Sequence, residues 1–248
     1  MKGKPHLFRI VILGCLATLT SAVFAAANTL QVNYDGFTVW LDCTRHGAYM
    51  FAYTVGFDSG HEPRLNDFAL DPGVPAECQP TSSKTFHSPD GAPRFDRGHQ
   101  VPANHMDGSP VSIMETNYMT NVLPQTSTLN RGAWLATEEI IECYRDLQDI
   151  QVFGGAIWGN DTTNDYFVES HGIETPDYYW KVIVRADGKA LGWLFPNTDQ
   201  PTRKRLDKYL VKILNLEKRT GERFPVTPMV RKRKPLASWP LPDDCDKG

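Results

Sequence analysis

The segment Phe95-Asp96-Arg97-Gly98-His99-Gln100-Val101-Pro102 sets an arginine and a histidine two positions apart. In an extended chain, residues at that interval face the same side. The pair suits phosphodiester chemistry. A neutral imidazole can take a proton from water near pH 7. A guanidinium keeps its charge, and its planar fork matches phosphate oxygens. For so short a string there is also a plain structural reading, in which Arg97 pairs with Asp96 at the surface and His99 fills a strand position.

Downstream, Asn121-Val122-Leu123-Pro124-Gln125 precedes Leu129-Asn130-Arg131-Gly132-Ala133-Trp134, and then Glu138-Glu139. If a helix begins near Asn130, then at 100° per residue Glu138 lies about 80° round from Asn130 and Glu139 about 180° round. Asn130 and Glu138 then share a side, Trp134 packs between them, and Glu139 faces away. A neutral amide oxygen with a nearby carboxylate suits Mg²⁺, which takes few protein oxygens and keeps several waters. Asn130 is equally a good helix N-cap.

These residues need elements to hold them. Thr29 to Asp42 reads as strand, with Leu30, Val32 and Tyr34 alternating, and Tyr49 to Phe57 is a second β-rich run. Asp58 to Arg94 is rich in Pro, Gly, Asp and Ser, and a loop of that length inside a compact domain is usually functional. Arg131 to Leu147 and Thr202 to Arg219 read as helices. Ile150 to Ile157, Tyr178 to Val184 and Ala190 to Phe195 read as strands. Strands and helices mix without regular βαβ alternation, which predicts an α+β fold.

The N-terminus has a different character. Lys2, Lys4 and Arg9 precede an apolar stretch from Ile10 to Ala22, followed by small residues suited to cleavage at Val23-Phe24-Ala25 or Ala25-Ala26-Ala27. This is the pattern of a secretory signal peptide, too short for a membrane span. The expectation is a leader at 1–27, one domain at 28–248, export to the periplasm or medium, and no membrane association. Cleavage leaves Cys43, Cys78, Cys143 and Cys245. An even count in an exported chain predicts two disulfides, with three connectivities open. The 248-residue chain carries a net charge of −3 and is 41% hydrophobic and 22% charged, which is globular composition and excludes disordered and collagen-like classes. Loss of three cations and no anions with the leader takes the charge to −6.

Taken together, Asp96 to Pro102, Asn117-Tyr118-Met119-Thr120-Asn121-Val122-Leu123-Pro124-Gln125, Leu129 to Trp134, and Glu138 resemble the DNA/RNA non-specific endonuclease family, the sugar-non-specific ββα-metal nucleases. The resemblance covers roughly 32–224. It implies a ββα-metal (His-Me finger) fold, with a central antiparallel sheet flanked by helices. It also implies a Mg²⁺-dependent endonuclease, with Mn²⁺ as an alternative ion, that cuts DNA and RNA with little sequence preference and leaves 5′-phosphates. By the same resemblance, His99 is the general base and Asn130 the single direct metal ligand. Glu138 holds the metal's water shell, Arg97 sits near the scissile phosphate, and Asn121 supports the site. An upstream loop arginine is assigned to Arg64, with Arg45 and Arg94 as competitors. A homodimer and an inhibitor protein stay open as partners. The rival functions are an inactive nucleic-acid-binding relative and a phosphodiesterase for small substrates. An acidic chain argues against a long basic footprint. Substrate charge would then be met locally, by Arg97, a bound ion, and the runs Arg203-Lys204-Arg205 and Arg231-Lys232-Arg233-Lys234, unless those runs are simply solvated faces.

Overall fold

The computed structural model describes residues 28–247, so the expected leader lies outside the described residues. The strands are β1 (Thr29–Asn33), β2 (Phe37–Asp42), β3 (Gly47–Val55), β4 (Phe95–His99), β5 (Val122–Thr126), β6 (Ile150–Ile157), β7 (Tyr178–Arg185) and β8 (Ala190–Pro196). Six of them form one antiparallel sheet in the order β1-β2-β3-β6-β7-β8, and β4 pairs with β5 in a separate two-stranded sheet. The run expected as one strand at its start is a hairpin. It turns at Tyr34-Asp35-Gly36, where Gly36 takes a φ of 92°, a conformation that costs glycine little.

The large sheet separates two apolar layers. Phe51, Tyr53, Tyr179 and Ile183 pack with Trp134, Ile140 and Ile141 on one face. Trp180, Val182 and Val184 pack with Ile213, Leu216 and Phe224 on the other. Both faces of β7 are therefore covered, and its sequence reads as a nearly continuous apolar run. The helices are α1 (Pro110–Thr116), α2 (Ser127–Leu129), α3 (Leu135–Arg145), α4 (Val168–His171), α5 (Ile213–Thr220) and α6 (Pro228–Lys232).

The stretch from Thr202 to Arg219 is not one helix. A 3-10 segment, Arg203–Tyr209, ends where Leu210 bridges to Trp193 and Val211 N–H donates to Gly192 O of β8 at 2.9 Å. Only after this contact with the sheet edge does α5 begin. Its helix-forming Leu and Lys residues are overruled by the available backbone partners.

The long 58–94 loop is fastened rather than free. Cys43 and Cys78 form a disulfide between the end of β2 and the loop, and Cys143 pairs with Cys245, which settles the connectivity. Gln79 brackets the loop from inside, accepting from Asp71 N–H at 2.8 Å and donating to the carbonyls of Asp71 and Val74 at 2.9 and 2.8 Å. Ala69 bridges in parallel to Tyr118. Further on, Thr81 N–H donates to His171 O at 2.8 Å. These clips press the 64–69 stretch against the segment that follows α1.

Candidate active site

β4 and β5 run antiparallel, with His99 opposite Val122, and the helical segment starts directly after β5. α2, a π turn at Asn130–Trp134 and α3 follow one another without a break. Asn130 is thus inside the helical segment and not its N-cap. Gly98 lets the strands close: a Cβ there would lie 2.6 Å from Gln125 Cβ. Trp134 Nε1–H donates to His99 O at 3.2 Å, tying the helix to the histidine's strand.

These elements wall a cavity of about 710 Å³ lined by Arg64, Arg97, His99, Asn130 and Glu138, among others. The five come from four parts of the chain: the long loop, β4, which carries both Arg97 and His99, the π turn and α3. Arg64 reaches the cavity, whereas Arg45 forms an ion pair with Glu174 and Arg94 is absent from the lining. Asn121 does not reach the cavity. It is fully buried, donates to Val101 O and Thr116 O at 2.9 and 2.8 Å, and accepts from Val101 N–H at 2.9 Å. It braces the turn after His99.

Two residues without a role in the sequence reading frame the histidine. Asn117 Nδ2 donates to Leu65 O at 3.2 Å, which leaves its Oδ1 facing His99 Nε2 at 2.9 Å. The carbonyl of Leu65 thereby fixes the amide, and the amide fixes the imidazole. Nε2 carries the proton and Nδ1 keeps its lone pair, which makes Nδ1 the atom left to accept a proton. Phe68 lies between the two catalytic candidates, with its ring 5.2 Å from the His99 ring and 3.7 Å beneath the Arg97 guanidinium. Arg97 Nη1 also donates to Ser83 O at 3.0 Å. Burial pushes His99 down to about 4; the Asn117 hydrogen bond opposes this, and the charges of Arg64 and Arg97 add to it.

Asp96 does not pair with Arg97. It receives Arg131 through two bonds of 2.8 and 2.7 Å, Ser127 Oγ–H at 2.9 Å and Asn130 Nδ2–H at 2.9 Å. Burial would raise its carboxyl, but the bonds from Arg131, Asn130 and Ser127 outweigh that and hold it below the usual range. Because Asp96 takes an amide hydrogen of Asn130 and so turns Nδ2 toward itself, Oδ1 of Asn130 is left for another partner. The π turn then improves on the expected geometry. It absorbs one residue, so seven regular steps carry the helix about 700°, within about 20° of two full turns. Asn130 and Glu138 come into line on one side. Glu139 turns outward to an ion pair with Arg203.

Glu138 is 8% exposed, and its Oε1 is a buried oxygen with no hydrogen-bond partner among the described residues. Lys181 of β7, wholly buried, places Nζ 3.7 Å from that oxygen and 3.7 Å from the centre of the Trp134 ring. Burial raises the Glu138 carboxyl, and Lys181 acts against it. Burial lowers the lysine to about 8 despite the glutamate. No cluster of three or more His, Cys, Asp or Glu suited to a metal occurs among the described residues. The donors present are the free amide oxygen of Asn130 and the carboxylate of Glu138, two residues that line the same cavity. That sparse set fits an ion that retains its water, such as Mg²⁺, and does not fit a fully protein-ligated zinc.

A strand pair carrying a buried, tautomer-fixed histidine, joined to a helix carrying Asn and Glu, defines a ββα nuclease. The chain belongs to the DNA/RNA non-specific endonuclease family, whose model matches residues 17–228. It is 30% identical to a nuclease of Serratia marcescens over 208 residues, covering 79% of this chain and 74% of that one. It is 28% identical to nuclease C1 of Cunninghamella echinulata var. echinulata over 190 residues, covering 72% and 73%. The fold matches a chain in a crystal structure of the EndoG/EndoGI complex, with a TM-score of 0.63 and 17% identity over 81% of this chain and 86% of that one. The protein is therefore a hydrolytic, non-specific endonuclease of DNA and RNA.

Proposed function

We propose that this nuclease hydrolyses phosphodiesters with His99 as general base and a divalent cation, Mg²⁺ or Mn²⁺, held by Asn130 and Glu138, and that it releases 5′-phosphates. The observation that carries the reading is the Leu65–Asn117–His99 relay, which leaves Nδ1 as the basic atom of a histidine lining the Asn130 and Glu138 cavity. His99 Nδ1 accepts the proton of the attacking water. The new P–O bond forms as the bond to the 3′-oxygen breaks, giving a 5′-phosphate and a 3′-alkoxide that takes a proton from solvent water to become the 3′-hydroxyl. Arg97, held over Phe68, and Arg64 meet the charge that builds on the phosphoryl oxygens. Asn130 Oδ1 would be the direct protein ligand of the cation and Glu138 would anchor its waters. When bound, the cation supplies Lewis-acid stabilisation of the phosphate and of the leaving oxygen. Because water is the nucleophile, no 2′-hydroxyl is needed, and DNA and RNA are both substrates.

Export through a cleaved leader belongs to the same reading. The Cys43–Cys78 and Cys143–Cys245 disulfides support an oxidising compartment.

The deciding experiment is digestion of single-stranded DNA, duplex DNA and RNA by the chain lacking residues 1–27, with Mg²⁺ and with EDTA, followed by end-group analysis. Cleavage of all three with Mg²⁺, none with EDTA, and 5′-phosphate ends are expected. Cleavage undiminished in EDTA, or 3′-phosphate ends, would overturn the mechanism.

A further inference from the structure

The charge of this chain is sharply segregated. Residues 203–234 hold twelve Lys and Arg against three Asp and Glu, while the rest of 28–248 holds eleven against twenty-six. A soluble surface ordinarily intersperses both signs, because like charges repel and destabilise the compact state.

The structure gives the basic segment a shape. It starts with the 3-10 segment Arg203–Tyr209 beside the π turn, where Ala133 N–H donates to Pro201 O at 3.1 Å. It passes the edge of the large sheet at Leu210-Val211, against β8. It continues on the opposite face as α5, whose Ile213 and Leu216 pack on Trp180 and Val182, and closes with α6. The result is a strap around one sheet edge.

One of its three carboxylates is used internally. Glu217 is buried and takes Arg231 at 2.8 Å and Arg223 at 3.5 Å, pinning α6 to α5. Lys204, Arg205, Lys208, Lys212, Lys218, Lys232, Arg233 and Lys234 are all exposed, and none of the eight pairs with a carboxylate among the described residues. The catalytic cavity has no such excess: Arg64, Arg97, Arg131 and Lys247 face Glu62, Asp96, Asp107 and Glu138. Four cations against four anions give that cavity little counterion-release affinity for a polyanion. The strap has the charge the cavity lacks.

We propose that the 203–234 strap is a second nucleic-acid-binding surface, distinct from the catalytic cavity, that holds the phosphate backbone of long substrates while cleavage proceeds elsewhere on the molecule. The occupant is a polynucleotide because the family's substrate is one, and because unpaired Lys and Arg spread along a strap match a repeating phosphate without reading bases. The proposal uses the family assignment and is independent of the roles of His99 and Asn130.

The test uses Lys218→Gln, Lys232→Gln, Arg233→Gln and Lys234→Gln together, four exposed side chains outside the cavity. Binding is measured on the His99→Ala background with a 40-base-pair duplex from 50 to 300 mM salt. Each lost phosphate contact lowers the slope of log K against log salt by about 0.9, so four lower it by about 3.6. With His99 intact, KM for long DNA should rise at least tenfold at 150 mM salt, with kcat unchanged. Turnover of a small diester, thymidine 5′-(p-nitrophenyl phosphate), should not change; it reports on the cavity alone. An unaltered slope and KM in a variant with native circular dichroism would overturn the proposal. So would unaltered DNA affinity together with lost retention on phosphatidylglycerol vesicles, which would assign the strap to a lipid surface.

Discussion

The sharpest consequence of the His99 environment concerns acid pH. An imidazole with its ordinary value of 6.5 is about 3% neutral at pH 5, whereas one held at about 4 is about nine-tenths neutral. Only the neutral form accepts a proton from water. The acid limb of kcat/KM should therefore fall near pH 4, and the enzyme should keep most of its pH 7 rate at pH 5. The same displacement has an opposite effect on stability. Between pH 6.5 and 4 the unfolded chain binds a proton at this histidine that the folded chain does not, so stability is lost as pH falls. The full loss is about 3 kcal/mol, and about 2 kcal/mol has gone by pH 5. Initial rates of duplex hydrolysis should be taken over seconds at saturating Mg²⁺ and fixed ionic strength from pH 4 to 8. Urea unfolding over the same range separates stability from rate. A rate at pH 5 of about 4% of that at pH 7, the ratio for an imidazole of ordinary pKa, in a protein still folded, would refute the argument that burial and two arginines depress this base.

Other outcomes follow from neighbouring contacts. Asn117→Ala should lower kcat by about 10- to 100-fold, less than the roughly 10²–10⁴-fold that general-base catalysis supplies because the base itself remains, while Asn117→Asp should move the acid limb upward because a carboxylate favours the imidazolium; equal pH profiles for wild type and Asn117→Asp would refute the relay. Lys181→Met leaves Glu138 buried without its cation and should cost about 3–5 kcal/mol in urea unfolding; Lys181→Met with Glu138→Gln should recover much of it, and a double variant no better than the single would show that the pair is not coupled. Asn130→Ala should abolish the response of rate to Mg²⁺, whereas Glu139→Ala removes only a partly exposed pair with Arg203 and should cost under about 1 kcal/mol with activity kept; similar kinetic losses in both would contradict the observed helix phase.

The order of the site elements was readable because each carries its own local signal. Arg97 and His99 stand at strand spacing, and Asn130 and Glu138 fall on one helical side even by simple counting. The contacts that tune them are long-range and leave no period. The His99–Asn117 bond joins a strand end to an irregular turn and depends on the carbonyl of Leu65, fifty-two residues from Asn117. The Glu138–Lys181 pair joins a helix to a strand, and its one trace in sequence is a lysine in the apolar run Tyr179-Trp180-Lys181-Val182-Ile183. A charge inside a strand covered on both faces needs a partner. The helix expected over 202–219 failed where β8 offered backbone hydrogen bonds, which propensity does not register. The π turn was likewise silent: its sequence, Asn130-Arg131-Gly132-Ala133-Trp134, carries nothing that announces an extra residue.

The Cys143–Cys245 bond fixes where the chain's last described residues emerge. It pins the tail to α3, Trp239 packs on Tyr144 with ring centres 5.2 Å apart, and Lys247 stands in the lining of the catalytic cavity. The disulfide therefore does more than brace the helix: by anchoring the tail it brings the Lys247 ammonium to the rim of the catalytic cavity, so reduction of that bond would release a cation from the place where a polyanion enters.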